Sequence, residues 1–293
     1  MSQHIDAPAR HLHNARLLGE QDVVIAAYPG SGSSLLGNVV LELGFDHLDP
    51  YTEVLDADGV PEQDRQYEIY RRRLAATADR DRSAAPGPAG ERPRFFKNHL
   101  HPEAFQAASL RGAVLLVRDP RDAIHSSYQY FRNFSGWLPG APQGLGQGSF
   151  AEFLGGLGIN GAPPVPGWAR FCKSWLDAGP SFRRFAVVHF EDLKANGVEA
   201  TAAMLAALDL NVPLDRIATA VERSSFPAMR AHEDRVAAGE HDSRARQARL
   251  IRRGKVDEWR EWFGRPELAA RFTDPDFLAV AAEFGYPVAT GRD

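Results

Sequence analysis

The stretch VVIAAYPGSGSSLLGNVVLELGF, residues 23–45, decides how the chain is read. Residues 23–28 are continuously apolar, as in a strand covered on both faces of a parallel sheet. Residues 34–43 put Leu35, Leu36, Val39, Val40 and Leu43 on one side of a helix, and Gly44 supplies a stop. Strand, Gly/Ser turn and helix together have the layout of a phosphate-binding loop. Glycines allow tight turns, so several N–H groups can point inward, and the helix start adds its positive end. Ser31, Ser33 and Ser34 add hydroxyl donors. The loop is nevertheless not a Walker A motif, because Gly32 is followed by Ser33 and Ser34 where that pattern needs Lys and then Ser/Thr. It is not G-x-G-x-x-G either, so a nucleoside triphosphatase and a dinucleotide dehydrogenase are disfavoured. A plain strand-to-helix turn also uses Gly and Ser, so the loop alone does not settle a function.

Working outward, the same rhythm repeats. FFKNHL (95–100) reads as a second strand and AVLLVRDP (113–120) as a third ending at Arg118, with a helix over 121–131. FAVVHFEDL (185–193) reads as a fourth strand running into a turn, and 197–208 as a helix. Strands alternating with helices predict one α/β domain with a P-loop-like parallel sheet and helices on both faces. The 293 residues, 44% hydrophobic and 25% charged, suit that domain. A net charge of −4 argues against a nucleic-acid binder. The polar first residues do not read as a signal peptide, and no apolar run reaches the ~20 residues of a membrane span. Cys172, the single cysteine, cannot form an internal disulfide and reads as a buried helix position, so the expected compartment is the cytoplasm. Residues 79–94 predict a mobile surface loop. The Gly- and Pro-rich stretch 132–167, with its interspersed aromatics, predicts a lid or pocket wall. Residues 231–251 are dense in charge and predict partial disorder.

Strand ends of such a sheet converge on one edge, where ligands bind. That edge gathers the 28–34 loop, Lys97, His99, Arg118 and Ser126. Arg252, Arg253 and Lys255 around Gly254 form a basic segment able to close over it. Each has a structural alternative: a solvated strand end for Lys97, a hydrogen-bonded core histidine for His99, a partner for Asp119 or Asp122 in Arg118. Their convergence is what points to a site.

In this order the segments resemble the sulfotransferases that use 3′-phosphoadenosine 5′-phosphosulfate (PAPS). AYPGSGSSLL resembles the family's 5′-phosphosulfate loop Tyr-Pro-Lys-Ser-Gly-Thr-Thr-Trp. KNHL resembles the Lys-Thr-His-Leu segment that carries the catalytic base. VRDPRDAIHSSYQYF resembles the 3′-phosphate segment Arg-Asn-Pro-Lys-Asp and its following serine. HFEDL resembles Tyr-Glu-Asp-Leu, SSFPAM (224–229) the Thr-Ser-Phe segment, and RRGKVDEW (252–259) the Arg-Lys-Gly…Asp-Trp segment. The likeness runs over about 22–263.

The resemblance implies roles. His99 would be the base and Lys97 the cation at the transferring group. Tyr28, Pro29, Gly30, Ser31, Gly32, Ser33 and Ser34 would form the phosphosulfate loop. Arg118 and Ser126 would take the 3′-phosphate, with Arg252, Arg253 and Gly254 closing on it. Phe226 would contact the adenine, and Phe190 would be a further cofactor-binding position, without the hydroxyl of the family's tyrosine. PAPS would be co-substrate, adenosine 3′,5′-bisphosphate the product and a small-molecule hydroxyl compound the acceptor, with no metal involved. The chain departs from the pattern at Gly30 (a loop lysine in the family), Leu35 (a tryptophan) and Phe190 (a tyrosine). Gly30 is the support for the competing reading, a nucleotide-binding protein with impaired catalysis.

Overall fold

The computed structural model describes residues 7–50, 53–58, 60–63, 93–134, 146–158, 161–239, 241 and 249–288. The chain opens with helix α1 (Ala7–Ala15), then β1 (Asp22–Ala27) and α2 (Ser33–Glu42). Three short strands follow: β2 (Asp46–Leu48), β3 (Glu53–Leu55) and β4 (Pro61–Gln63). After β5 (Arg94–Asn98) and β6 (Gly112–Val117) come α3 (Pro120–Phe134), α4 (Phe150–Gly155) and α5 (Pro164–Ala178). Then β7 (Phe185–His189) leads directly into α6 (Phe190–Ala195), α7 (Gly197–Ala207), α8 (Leu214–Arg223) and α9 (Phe226–Ala238), with a last helix at Pro275–Glu283.

The main sheet is all parallel, in the order β2-β5-β1-β6-β7, and β3–β4 make a separate antiparallel pair. Every residue of β1 and β6 is buried, as continuously apolar strands require. Alternate side chains feed two cores. Val24, Ala26, Phe96, Leu115 and Val117 pack on one face with Trp168, Phe171, Cys172 and Trp175 of α5. Val23, Ile25, Phe95, Val114 and Leu116 pack on the other, with Leu36, Val39 and Val40 of α2 and Met204 and Leu205 of α7. Helices on both faces of a parallel sheet are thus the observed architecture, as the sequence predicts.

Register is pinned at the strands' N-terminal ends. Arg94 donates a fork of hydrogen bonds, 2.7 and 2.8 Å, to the fully buried Asp22. In-register pairing then carries Ile25 beside Lys97, and Val117 beside His189. So β1, β5 and β6 all deliver their next residues to one edge.

Three sequence expectations change. Residues 190–193 are not strand end and turn but the start of α6. Residues 231–238 continue helix α9, with Glu233 buried and accepting from the backbone N–H groups of Leu250 and Ile251. The described part of 132–167 holds α4, closed by a capping box between Ser149 and Glu152, and the start of α5. Residues 79–92, 135–145, 159–160, 240 and 242–248, on which the rest of the loop and lid expectations fall, lie outside the described residues.

Candidate active site

A cavity of about 170 Å³ opens at the carboxyl edge of the sheet. Its wall includes Pro29, Gly30, Gly32, Ser33, Ser34, Lys97, His99, Arg118, Ser126, Phe190, Phe226, Arg252, Arg253 and Gly254. Of the site residues singled out from the sequence, Tyr28, Ser31 and Lys255 are not on the wall. Tyr28 turns to the other side of β1, donates its hydroxyl to Pro164 O at 3.1 Å and meets the Phe171 ring. Ser31 is buried, and its N–H closes the turn onto Tyr28 O at 3.0 Å.

Gly30 explains why no lysine stands in the loop. Its φ is +87°, and a Cβ there would lie 2.1 Å from Ala123 O and 2.8 Å from Ser127 N of α3. Both obstacles are backbone, so no rotamer change relieves them. Its carbonyl accepts from Arg118 Nη1 at 2.9 Å. The loop is braced against α3 through the space a side chain would need. Elsewhere two aromatic rings take comparable space. The rings of Phe190 and Phe226 lie where Cβ atoms on Gly32 and Gly254 would come within 2.4 Å.

Arg118, at the end of β6, is buried and acts as a strut. Besides Gly30 it donates to Lys255 O at 2.8 Å, approaches Asp122 at 3.4 Å and lies 4.4 Å over the Phe190 ring. It thereby joins the 28–34 loop to the 252–255 segment. Trp259 N donates to Asp122 Oδ1 at 2.7 Å, which anchors that segment from the other side. Burial pushes the Asp122 carboxyl up to about 6 despite Arg118. Arg252 makes a forked ion pair with the buried Glu258, and Arg253 reaches Glu258 at 3.3 Å and Glu261 at 2.7 Å.

At the other end, Lys97 and His99 face the cavity from the end of β5. Lys97 is 3% exposed and pairs with Asp49, the residue after β2, at 2.9 Å. A buried ammonium without such a partner would be costly. His99 Nδ1 lies 2.7 Å from Ala27 O. A carbonyl only accepts, so Nδ1 carries the proton and Nε2 is the basic nitrogen. Burial first, and the Lys97 charge second, lower the His99 pKa to about 4. His11 of α1 is buried with its ring centroid 5.9 Å from that of His99. His101 is turned away, with Nδ1 2.9 Å from Ser174 Oγ of α5.

The chain matches a known domain. The family model described as "Sulfotransferase domain" matches residues 20–274. The chain belongs to the sulfotransferase domain family. Among similar proteins, mouse sulfotransferase 2A1 is 25% identical over 256 residues, covering 86% of this chain and 82% of the relative. Human sulfotransferase 1E1 is 24% identical over 216 residues, 71% of this chain and 66% of the relative. In fold, the chain matches mouse sulfotransferase SULT7A1 complexed with PAP at a TM-score of 0.59 and 18% identity, over 96% of this chain and 91% of that one. It matches retinol dehydratase in complex with androsterone and PAP at 0.58 and 19%, over 89% and 81%. Helix α1, which brings His11 to His99, precedes the residues that this sulfotransferase match covers.

Lys194 and Glu258 on the wall, and Asp49 and His11 behind it, are residues that the sequence pattern does not reveal. Asp49 follows a three-residue strand with no usable pattern. Lys194 has a signal: it lies four residues after Phe190, which is one helical face, but only once 190–195 is known to be a helix.

Proposed function

We propose that this sulfotransferase-family chain moves a sulfuryl group from PAPS to a hydroxyl of a small-molecule acceptor. The observation that carries the reading is the meeting of Lys97, His99, the Gly30–Ser34 loop and the Arg118/Arg252–Gly254 cluster on one cavity. The 5′-phosphosulfate would lie on the loop at the start of α2, held by backbone N–H groups and the hydroxyls of Ser33 and Ser34. The 3′-phosphate would take the Arg118, Ser126 and Arg252–Gly254 end. His99 Nε2 would accept the acceptor's proton as its oxygen attacks sulfur. Lys97 and the loop amides would offset charge on the sulfuryl oxygens and the departing 5′-phosphate.

Tyr130, Phe131, Met229, Leu250 and Ile251 add a largely apolar portion to the wall. This supports an acceptor with an apolar body and one hydroxyl, the chemistry of the androsterone that retinol dehydratase binds. Transfer of labelled sulfate from PAPS into a panel of sterols, retinoids, phenols and sugars tests the reading. Sulfation of apolar alcohols or phenols is expected. Failure of adenosine 3′,5′-bisphosphate to bind at all would overturn the donor assignment without reference to the acceptor.

A further inference from the structure

Among the described residues six cationic side chains line the cavity, and five of them already have a carboxylate. Lys97 pairs with Asp49, Arg118 with Asp122, Arg249 with Asp234 at 3.1 Å, Arg252 with Glu258, and Arg253 with Glu258 and Glu261. Lys194 is the sixth. Among the described residues no carboxylate pairs with it, and the charge that acts on it is a like one, that of Arg118. Burial and then the Arg118 charge lower its pKa. An ammonium held in the field of another cation, and left without a counter-ion, suits a place where an anion arrives.

Its position names the anion. Lys194 is at the last turn of α6, on the same helical face as Phe190, and its Nζ is 5.9 Å from the centroid of the Phe226 ring. That ring is also the one packed against Gly254. So Lys194, Phe226, Gly254 and Arg118 border one end of the cavity, away from Lys97 and His99.

We infer that Lys194 is a specificity-determining contact for the 3′-phosphate of the nucleotide, a fourth cation beside Arg118, Arg252 and Arg253. The inference rests on the nucleotide assignment made above. It extends it to a residue on α6, an element otherwise represented in the site by Phe190.

Calorimetric titration of the full chain with adenosine 3′,5′-bisphosphate and adenosine 5′-phosphate separates the two levels. In the unmodified protein the bisphosphate should bind more tightly. Lys194→Met should weaken bisphosphate binding roughly three- to tenfold, the range for a partly exposed charge contact, and shift 5′-phosphate binding by less than about twofold. Lys194→Arg should retain most of the preference. Equal weakening for both nucleotides would place Lys194 on the ring or the 5′ end and overturn the inference. No change for either would make it a solvated surface lysine and overturn it equally. If the unmodified protein fails to prefer the bisphosphate, the nucleotide assignment itself falls, and the inference with it.

Discussion

In the proposed reading the two ends of the cavity would hold anionic groups in different ways. At the proposed transfer end Lys97 is paired with Asp49, and Gly30 has no room for a side chain. Beside that paired ammonium an anion there would meet backbone N–H groups, serine hydroxyls and the positive end of α2. At the proposed nucleotide end four cations of the described residues, Arg118, Lys194, Arg252 and Arg253, line the wall; Asp122, Glu258 and Glu261 pair with the three arginines, and Lys194 has no carboxylate among the described residues. The difference teaches that binding and chemistry are separable here. In the proposed reading, charge that would grip the nucleotide is kept away from His99, where extra cations would lower proton affinity further. The absent lysine is then a built feature of the loop and not a loss to be repaired.

The largest test breaks the transfer end alone. His99→Ala should reduce turnover about 10²–10⁴-fold while leaving adenosine 3′,5′-bisphosphate affinity within about twofold. His101→Ala is the control, since that ring faces α5. Loss of nucleotide binding in His99→Ala, or a larger kinetic effect from His101→Ala, would erase the division between the ends. Next in size is Gly30→Lys. A Cβ 2.1 Å from a carbonyl oxygen at φ +87° should cost on the order of 2–4 kcal/mol and lower Tm, with no gain in rate. A variant that is stable and faster would show that the loop had simply lost its lysine. Arg118→Ala comes third. It removes a charge-assisted contact, about 1.5–3 kcal/mol, so the preference for bisphosphate over 5′-phosphate should fall about tenfold or more. Because Arg118 also ties Gly30 to Lys255, hydrogen exchange in both segments should rise in the same variant.

The parts of the molecule legible in the sequence are those where periodicity is strong or turn chemistry is specific. β1, α2, β6 and α3 are long, regular and fully used, and they carry the loop, Arg118 and Ser126. β5 is legible in FFKNHL, and it delivers Lys97 and His99 to the site because its parallel register fixes where it ends. What stays hidden depends on pairings distant in sequence. Asp49 matters only because β2 pairs beside β5. His11 matters only because Asn14 and His13 hydrogen-bond Leu55 and dock α1. Lys194 is hidden by a local ambiguity, since HFEDL reads as strand end although its acidic first turn starts a helix.

The smallest expected effect is also the one that best distinguishes the two ends. His99 is buried among Lys97 of its own strand, Asp49 beyond β2, and His11 of α1, with Nδ1–H on Ala27 O. Burial leads the lowering of its pKa to about 4, and Asp49 and the Ala27 hydrogen bond only partly oppose it. The proposed role of His99 as base needs the unprotonated form, so activity should be lost as pH falls through that value and not through the ordinary imidazole value near 6.5. At saturating donor, and with an acceptor whose hydroxyl stays protonated, kcat should therefore change less than about twofold between about pH 5.5 and 7.5. An imidazole titrating near 6.5 would give about a tenfold rise over the same range. Saturation matters because the 3′-phosphate ionises in that window and would otherwise enter through nucleotide binding. Lys97→Gln shifts the expectation in a defined direction: with the second-ranked cause gone, the His99 pKa should rise and an acidic limb should move toward the measurable range. A tenfold limb in the unmodified protein would mean that His99 is solvated during turnover. A limb unmoved by Lys97→Gln would mean that the Lys97 charge does not help to set the His99 pKa.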